Sequence, residues 1–459
     1  MKKSLILSIL LLAFGSVAQN EAQKPNPSQT ETLKELSLET SVMEQYRSFY
    51  PKLTTNFMWL PNSDSYSTFS ARWDKVEVYS KEGQLEYSVN LAEINEKLGS
   101  QLNYISGFEW KNEYEFYVSY QSAAYTFDIK NKTGKKLYDI ESGSTSGTFN
   151  ANNAHVYLKE NNIYLQTEKK TKAVTKFDDK NIVSGQAIAR SEFGITNGIF
   201  WSPKGNKIGF YQKDETNVHD YPLIDITKTP GELKSIKYPM AGQKSEKPRI
   251  GIITVKNGKV KYLKTFGTEE DHYLTNFGWG PNEEFAYIAE VNRDQNHMKL
   301  LKYNAKNGKL VKVLFEEKND KWVEPENPVF FLPETPNQFI WMSERDGFMN
   351  LYLYDTEGNL IKQLTKNKWV AQDILGVNST GEDVIFQGTG ENPLNTMIYK
   401  VNLKTGEQSL ITKTEGTHSC KLSGDGKVLF DSYSNHNTPL VQQMLDLEGN
   451  VGKKFGQVS

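Results

Sequence analysis

One pattern recurs along the chain and limits its fold more than any other feature. A short apolar stretch ending in Trp or Asn is followed by a polar turn. The first three copies are Phe57-Met58-Trp59-Leu60-Pro61-Asn62, Gly107-Phe108-Glu109-Trp110-Lys111-Asn112 and Gly147-Thr148-Phe149-Asn150-Ala151-Asn152. The fourth and fifth are Ile199-Phe200-Trp201-Ser202-Pro203-Lys204-Gly205 and Phe277-Gly278-Trp279-Gly280-Pro281-Asn282. Phe330 to Glu334, Leu375 to Gly381 and Cys420 to Gly426 are the sixth to eighth. Later strands of the unit show alternating apolar residues closed by a glycine turn, clearest in Asn350-Leu351-Tyr352-Leu353-Tyr354-Asp355-Thr356-Glu357-Gly358. The spacing of roughly 40 to 52 residues, with four short strands per unit, is that of propeller blades. A blade has two apolar faces that only neighbouring blades can cover. The expected fold is therefore all-β, an eight-bladed β-propeller over residues 49–459. Seven blades is the competing count, because the third and sixth copies are weak.

One interval is longer than the rest. Between the fourth and fifth copies lie Asp220-Tyr221-Pro222-Leu223-Ile224-Asp225 and Tyr238-Pro239-Met240-Ala241-Gly242. Two X-Pro steps and extended residues point to an arm leaving the blade.

The N-terminus has a different character. Met1-Lys2-Lys3, an apolar run from Leu5 to Phe14 and the small residues Gly15 to Ala18 form a signal-peptide pattern, with cleavage expected near Ala18. The run is too short to span a bilayer. An exported chain, periplasmic or extracellular, is the expectation. A polar lead-in over residues 19–48 follows, with a short helix expected between Leu33 and Tyr46. Cys420 is the only cysteine, so no internal disulfide can form, and its place in an apparent strand suits a small buried side chain. A net charge of -2 carries no signature of nucleic-acid binding.

Hydrolytic and metal signatures are missing from the sequence. No Gly-x-Ser-x-Gly elbow is present; Gly143-Ser144-Thr145-Ser146-Gly147 has Thr at its centre. The six histidines show no metal-ligand spacing, and no cofactor is expected.

The residues do carry a resemblance. Glu192-Phe193-Gly194-Ile195, Trp201-Ser202-Pro203, Asp214-Glu215, Asp220 to Asp225 and Tyr238 to Gly242 occur in that order. Asn292-Arg293-Asp294-Gln295-Asn296, Ser343-Glu344-Arg345-Asp346-Gly347, Gln363-Leu364-Thr365 and Asp431-Ser432-Tyr433-Ser434 follow. The ordered set resembles the N-terminal propeller of the dipeptidyl peptidase IV family of prolyl-oligopeptidase-like serine peptidases. The resemblance implies that the catalytic Ser, Asp and His belong to an α/β-hydrolase domain, which this chain is expected to lack, leaving it inactive alone. It implies a propeller that binds and gates the amino terminus of a peptide substrate, and a homodimer contact through the arm.

The family grips the peptide amine with two adjacent glutamates. The matching positions here are Ser191 and Glu192, so one carboxylate is kept and one is replaced by a hydroxyl. The family's substrate-facing arginine has no counterpart in Tyr117 to Tyr125. Arg190 is expected to pair with Glu192 at the rim. The alternative function is a stand-alone binding propeller for a protein, peptide or glycan partner.

Overall fold

The computed structural model describes residues 36–44, 53–120, 123–150, 152–265 and 272–457. The chain divides into residues 1–51 and a compact unit of residues 52–459. The expected signal peptide lies outside the described residues. Of the lead-in, residues 36–44 are described, and they contain the short helix Leu38–Met43, capped by Ser37 Oγ accepting from the Thr40 amide. No helix among the described residues is long and apolar enough to cross a membrane.

Among the described residues the strands of the larger unit form eight blades and one separate two-stranded hairpin. Seven blades are sequential four-stranded antiparallel sheets, beginning at Met58–Trp59, Glu109–Trp110, Thr145–Phe149, His272–Trp279, Phe330–Phe331, Ala371–Val377 and Thr417–Leu422. The remaining one, blade 4, has a divided first strand. Ile182–Ser184 and Ile199–Trp201 both pair with Lys207–Asp214, at opposite ends of it. The eight-blade count holds and the seven-blade count does not, since the weak third and sixth copies each start a full blade.

The repeat is visible because it makes the contacts between blades. Trp110 Nε1 donates to Ser67 Oγ of the preceding blade at 2.8 Å. Trp201 donates to Thr148 Oγ1 at 2.9 Å and Trp279 to the Phe200 carbonyl at 3.0 Å. Trp59 closes the circle, donating to the Lys421 carbonyl of blade 8 at 2.8 Å. Where the repeat has Phe, stacking replaces the bond: Phe149 lies 4.4 Å from Tyr117 of blade 2, centroid to centroid. The hairpin glycines follow the same logic. A Cβ on Gly358 would sit 2.4 Å from the Leu314 carbonyl oxygen of the previous blade, and its φ of 86° is left-handed.

Buried clusters link each blade to the next and the last to the first. Leu60, Val78 and Phe116 join blades 1 and 2, and Val156, Leu165 and Phe210 join 3 and 4. At the closing seam Phe57 stacks on Phe430 at 3.8 Å, with Tyr66 and Met444 beside them. Thr54 and Gln442 exchange hydrogen bonds of 2.8 and 3.3 Å across the same seam.

The expected arm is a hairpin, Asp220–Asp225 paired with Glu232–Lys237. A second helix, Leu91–Leu98, was not expected from the sequence. Its signal is a capping box: Asn90 Oδ1 accepts from the Glu93 amide and Glu93 returns a bond from the Asn90 amide.

Candidate functional site

The segment between the two halves of blade 4's first strand carries Ser191 and Glu192. Its ends are fixed by apolar residues. Ile188, Phe193 and Ile195 are buried in a cluster shared with blades 5 and 6. The Phe193 carbonyl accepts from Asn276 Nδ2 at 3.1 Å, and its ring lies 5.1 Å from that of Tyr273. Gly194 presses on the Glu326 carbonyl; a Cβ there would come within 2.1 Å of the oxygen.

Between these anchors the backbone is strained. Ala189, Arg190 and Ser191 have φ of 51°, 53° and 68°, three consecutive non-glycine residues in the left-handed region. Each costs of order 1–3 kcal/mol and persists only where its surroundings hold it. Here the holding group is Glu246, whose Oε1 accepts the Ala189 amide at 2.6 Å.

Glu246 belongs to a buried set of charges. Lys213 Nζ lies 3.6 Å from Glu246 Oε2 and 2.9 Å from Glu215 Oε1, and all three residues are buried. Arg190 joins from the rim, with a guanidinium nitrogen 3.5 Å from Glu215 Oε1 and its Cζ 5.4 Å from the centre of the Tyr238 ring. Two cations meet two carboxylates, so the set is neutral. Burying such charges is tolerated only with pairing of this kind.

The expected Arg190–Glu192 pair is therefore not formed. Glu215 outcompetes Glu192 because it is buried, where charge attraction is stronger than at the exposed rim. Glu192 is exposed, and its carboxylate makes no hydrogen bond or ion pair among the described residues. Ser191, also exposed, stands beside it. The arrangement presents one unneutralised carboxylate and one hydroxyl on a rigid turn, a set able to accept an ammonium group.

Two other motifs are structural. Arg345 donates to Ser343 Oγ at 3.0 Å, Tyr354 OH at 2.5 Å and Glu317 Oε1 at 2.6 Å, tying blade 6 to blade 5. In blade 8, His418 Nδ1 lies 2.8 Å from Asp431 Oδ1, and Cys420 Sγ donates to the same oxygen at 3.3 Å. Burial and Asp431 push the Cys420 thiol well above its usual value, which leaves it a poor nucleophile. The sequence suggested a buried Cys420 in a strand and did not show that Asp431 meets it across two paired strands.

Fold and turn define the class: an eight-bladed propeller with a strained, charged segment inserted in blade 4. Residues 105–440 match the family model described as the dipeptidyl peptidase IV N-terminal region, and the chain belongs to that family. It is 24% identical over 335 residues to a probable dipeptidyl-aminopeptidase B of Arthroderma gypseum, covering 65% of this chain and 36% of that protein. Against a probable dipeptidyl peptidase 4 of Trichophyton verrucosum it is 21% identical, covering 96% of this chain and 61% of that protein. The chain thus spans less than two thirds of the length of these relatives. Among solved structures it is similar to a putative dipeptidyl aminopeptidase IV from Bacteroides ovatus, with a TM-score of 0.80, 32% identity and coverage of 89% and 61%. Porphyromonas gingivalis dipeptidyl peptidase 4 shares the fold at a TM-score of 0.75, with 20% identity and coverage of 92% and 62%.

Proposed function

We propose that this chain is the peptide-recognising propeller of an exported dipeptidyl peptidase-type serine peptidase. Glu192 receives the free amino terminus of a peptide, Ser191 accepts a further hydrogen bond from it, and bond cleavage belongs to an α/β-hydrolase domain. The observation that carries this reading is the Glu192 carboxylate, without a partner among the described residues, on a turn held in a costly conformation. A rigid acceptor loses little entropy on binding, and a hydrogen bond to a charged group contributes ~1.5–3 kcal/mol. With one carboxylate instead of two, recognition is weaker than in a family site with both.

Calorimetry with an Ala-Pro-Ala tripeptide tests the reading. The free amine binds, the N-acetylated form does not, and Glu192→Gln abolishes the difference. Equal binding of both forms by the wild type rejects the proposal. Hydrolysis of an X-Pro substrate by the purified chain would reject the division of labour.

A further inference from the structure

Arg190 poses a problem for the proposed amine site. It is the cation nearest in sequence to Glu192, and on an exposed turn the two would neutralise each other. An ammonium ligand would then have to displace the arginine before binding. The structure avoids this with two contacts, Glu215 at 3.5 Å and the Tyr238 ring at 5.4 Å. Glu215 is itself fixed, because Lys213 holds it at 2.9 Å and its amide donates to the Asn181 carbonyl at 2.9 Å.

We infer that Glu215 is a positioning residue, which withholds Arg190 from Glu192 and so keeps the amine-binding carboxylate available. The inference rests on the amine-site reading and adds how that site keeps its charge. Charge bookkeeping within the buried set supports it. Without Glu215, Lys213 still has Glu246, and Arg190 becomes the surplus cation. The unneutralised carboxylate two residues away is Glu192. Glu246 has a different task, since it fixes the backbone through the Ala189 amide. Tyr238 closes the other side of the arginine. It follows the last arm strand, Glu232–Lys237, and its amide donates to the His219 carbonyl at 3.1 Å.

The test is a mutant cycle on the full chain, read by calorimetry with free and N-acetylated Ala-Pro-Ala. Glu215→Gln should weaken binding of the free-amine peptide about fivefold, equivalent to ~1 kcal/mol. The double variant Arg190→Gln/Glu215→Gln should recover wild-type affinity, because the competing cation is gone. A merely structural role for Glu215 would show no such rescue. Unchanged binding in Glu215→Gln, or a double variant as weak as the single one, overturns the inference while leaving the amine site standing. A wild type that treats the two peptides alike removes both. Tyr238→Leu leaves the buried charges intact and should weaken free-amine binding in the same direction. If Glu215→Gln fails to fold, unchanged affinity in Tyr238→Leu overturns the inference.

Discussion

Arg190 turns its guanidinium to Glu215, 3.5 Å away, and not to Glu192, its neighbour two residues along. The choice follows from burial. Glu215 shares a shielded pocket of charge with Lys213 and Glu246, whereas Glu192 stands in water. The outcome is a turn whose positive charge is spent internally and whose negative charge faces outward.

His155 makes stability depend on pH. Burial holds its ring near a pKa of about 4, below the usual 6.5, in a stack 4.4 Å from Phe149 with Nδ1 unpaired. The unfolded chain takes up a proton as pH falls through about 6.5, and the folded ring does not until about 4. Stability is therefore full above pH 6.5 and declines toward pH 4, by about 3 kcal/mol. Urea midpoints measured across this range should show the decline in the wild type and a shallower one in His155→Phe. Parallel pH profiles would refute it.

Glu283 latches blade 5 to blade 4. Its Oε1 accepts from Ser202 Oγ and the Lys204 amide, both at 2.6 Å, and Oε2 from Asn206 Nδ2 at 3.0 Å. Burial alone would raise its carboxyl, but these donors outweigh burial and hold it below the usual range. A depressed carboxyl contributes stability above its unfolded value, near 4.5, and loses it as pH falls below that. Glu283→Gln should cost about 2–4 kcal/mol at neutral pH. The gap to wild type should narrow in acid, as read by denaturant midpoints, and a constant gap would argue against the carboxylate.

Trp110 and Ser67 should be energetically coupled. Ser67 is fully buried, so removing the indole donor leaves its hydroxyl oxygen without a donor and with only its own 3.5 Å bond to the Met58 carbonyl. Trp110→Phe is expected to lose about 1–3 kcal/mol, and a double-mutant cycle with Ser67→Ala should return ~1 kcal/mol of coupling. Additive losses would mean the bond contributes nothing between blades.

The hairpin arm exposes Leu223, Ile224, Ile226 and Leu233, with Ile224 and Leu233 directly paired on one face. Such exposed apolar residues would suit contact with a second copy of the chain, the pairing that the family resemblance implies. Deleting residues 220–237, or introducing Ile224→Asp with Leu233→Asp, should halve the mass seen by light scattering. An unchanged mass would reject pairing through the arm.

The blade count was legible because the residues that repeat are those that touch the preceding blade: Trp59, Trp110, Trp201 and Trp279 each donate across that boundary. Blades 3 and 6 were weaker signals because Phe149 and Phe331 meet the previous blade by ring contact alone. Helix Leu91–Leu98 was missed because two turns leave little periodicity, although Asn90 and Glu93 marked its start. The site was legible in part. Ser191 and Glu192 could be placed next to each other, but Arg190's real partner is 25 residues on and the Ala189 clasp 57 residues on. Local charge order suggests the nearest ion pair, and only the folded sheet decides which carboxylate is buried.

The seam between blades 8 and 1 has a further consequence. Among the described residues no strand is shared across it, since each blade is a contiguous piece of chain and Phe57 meets Phe430 by side chain. The two ends of the ring therefore lie side by side, while every sheet is complete without them. A chain rejoined at that seam and opened instead between blades 4 and 5 would inherit all eight sheets intact. Gene order and ring order are, in this molecule, independent choices.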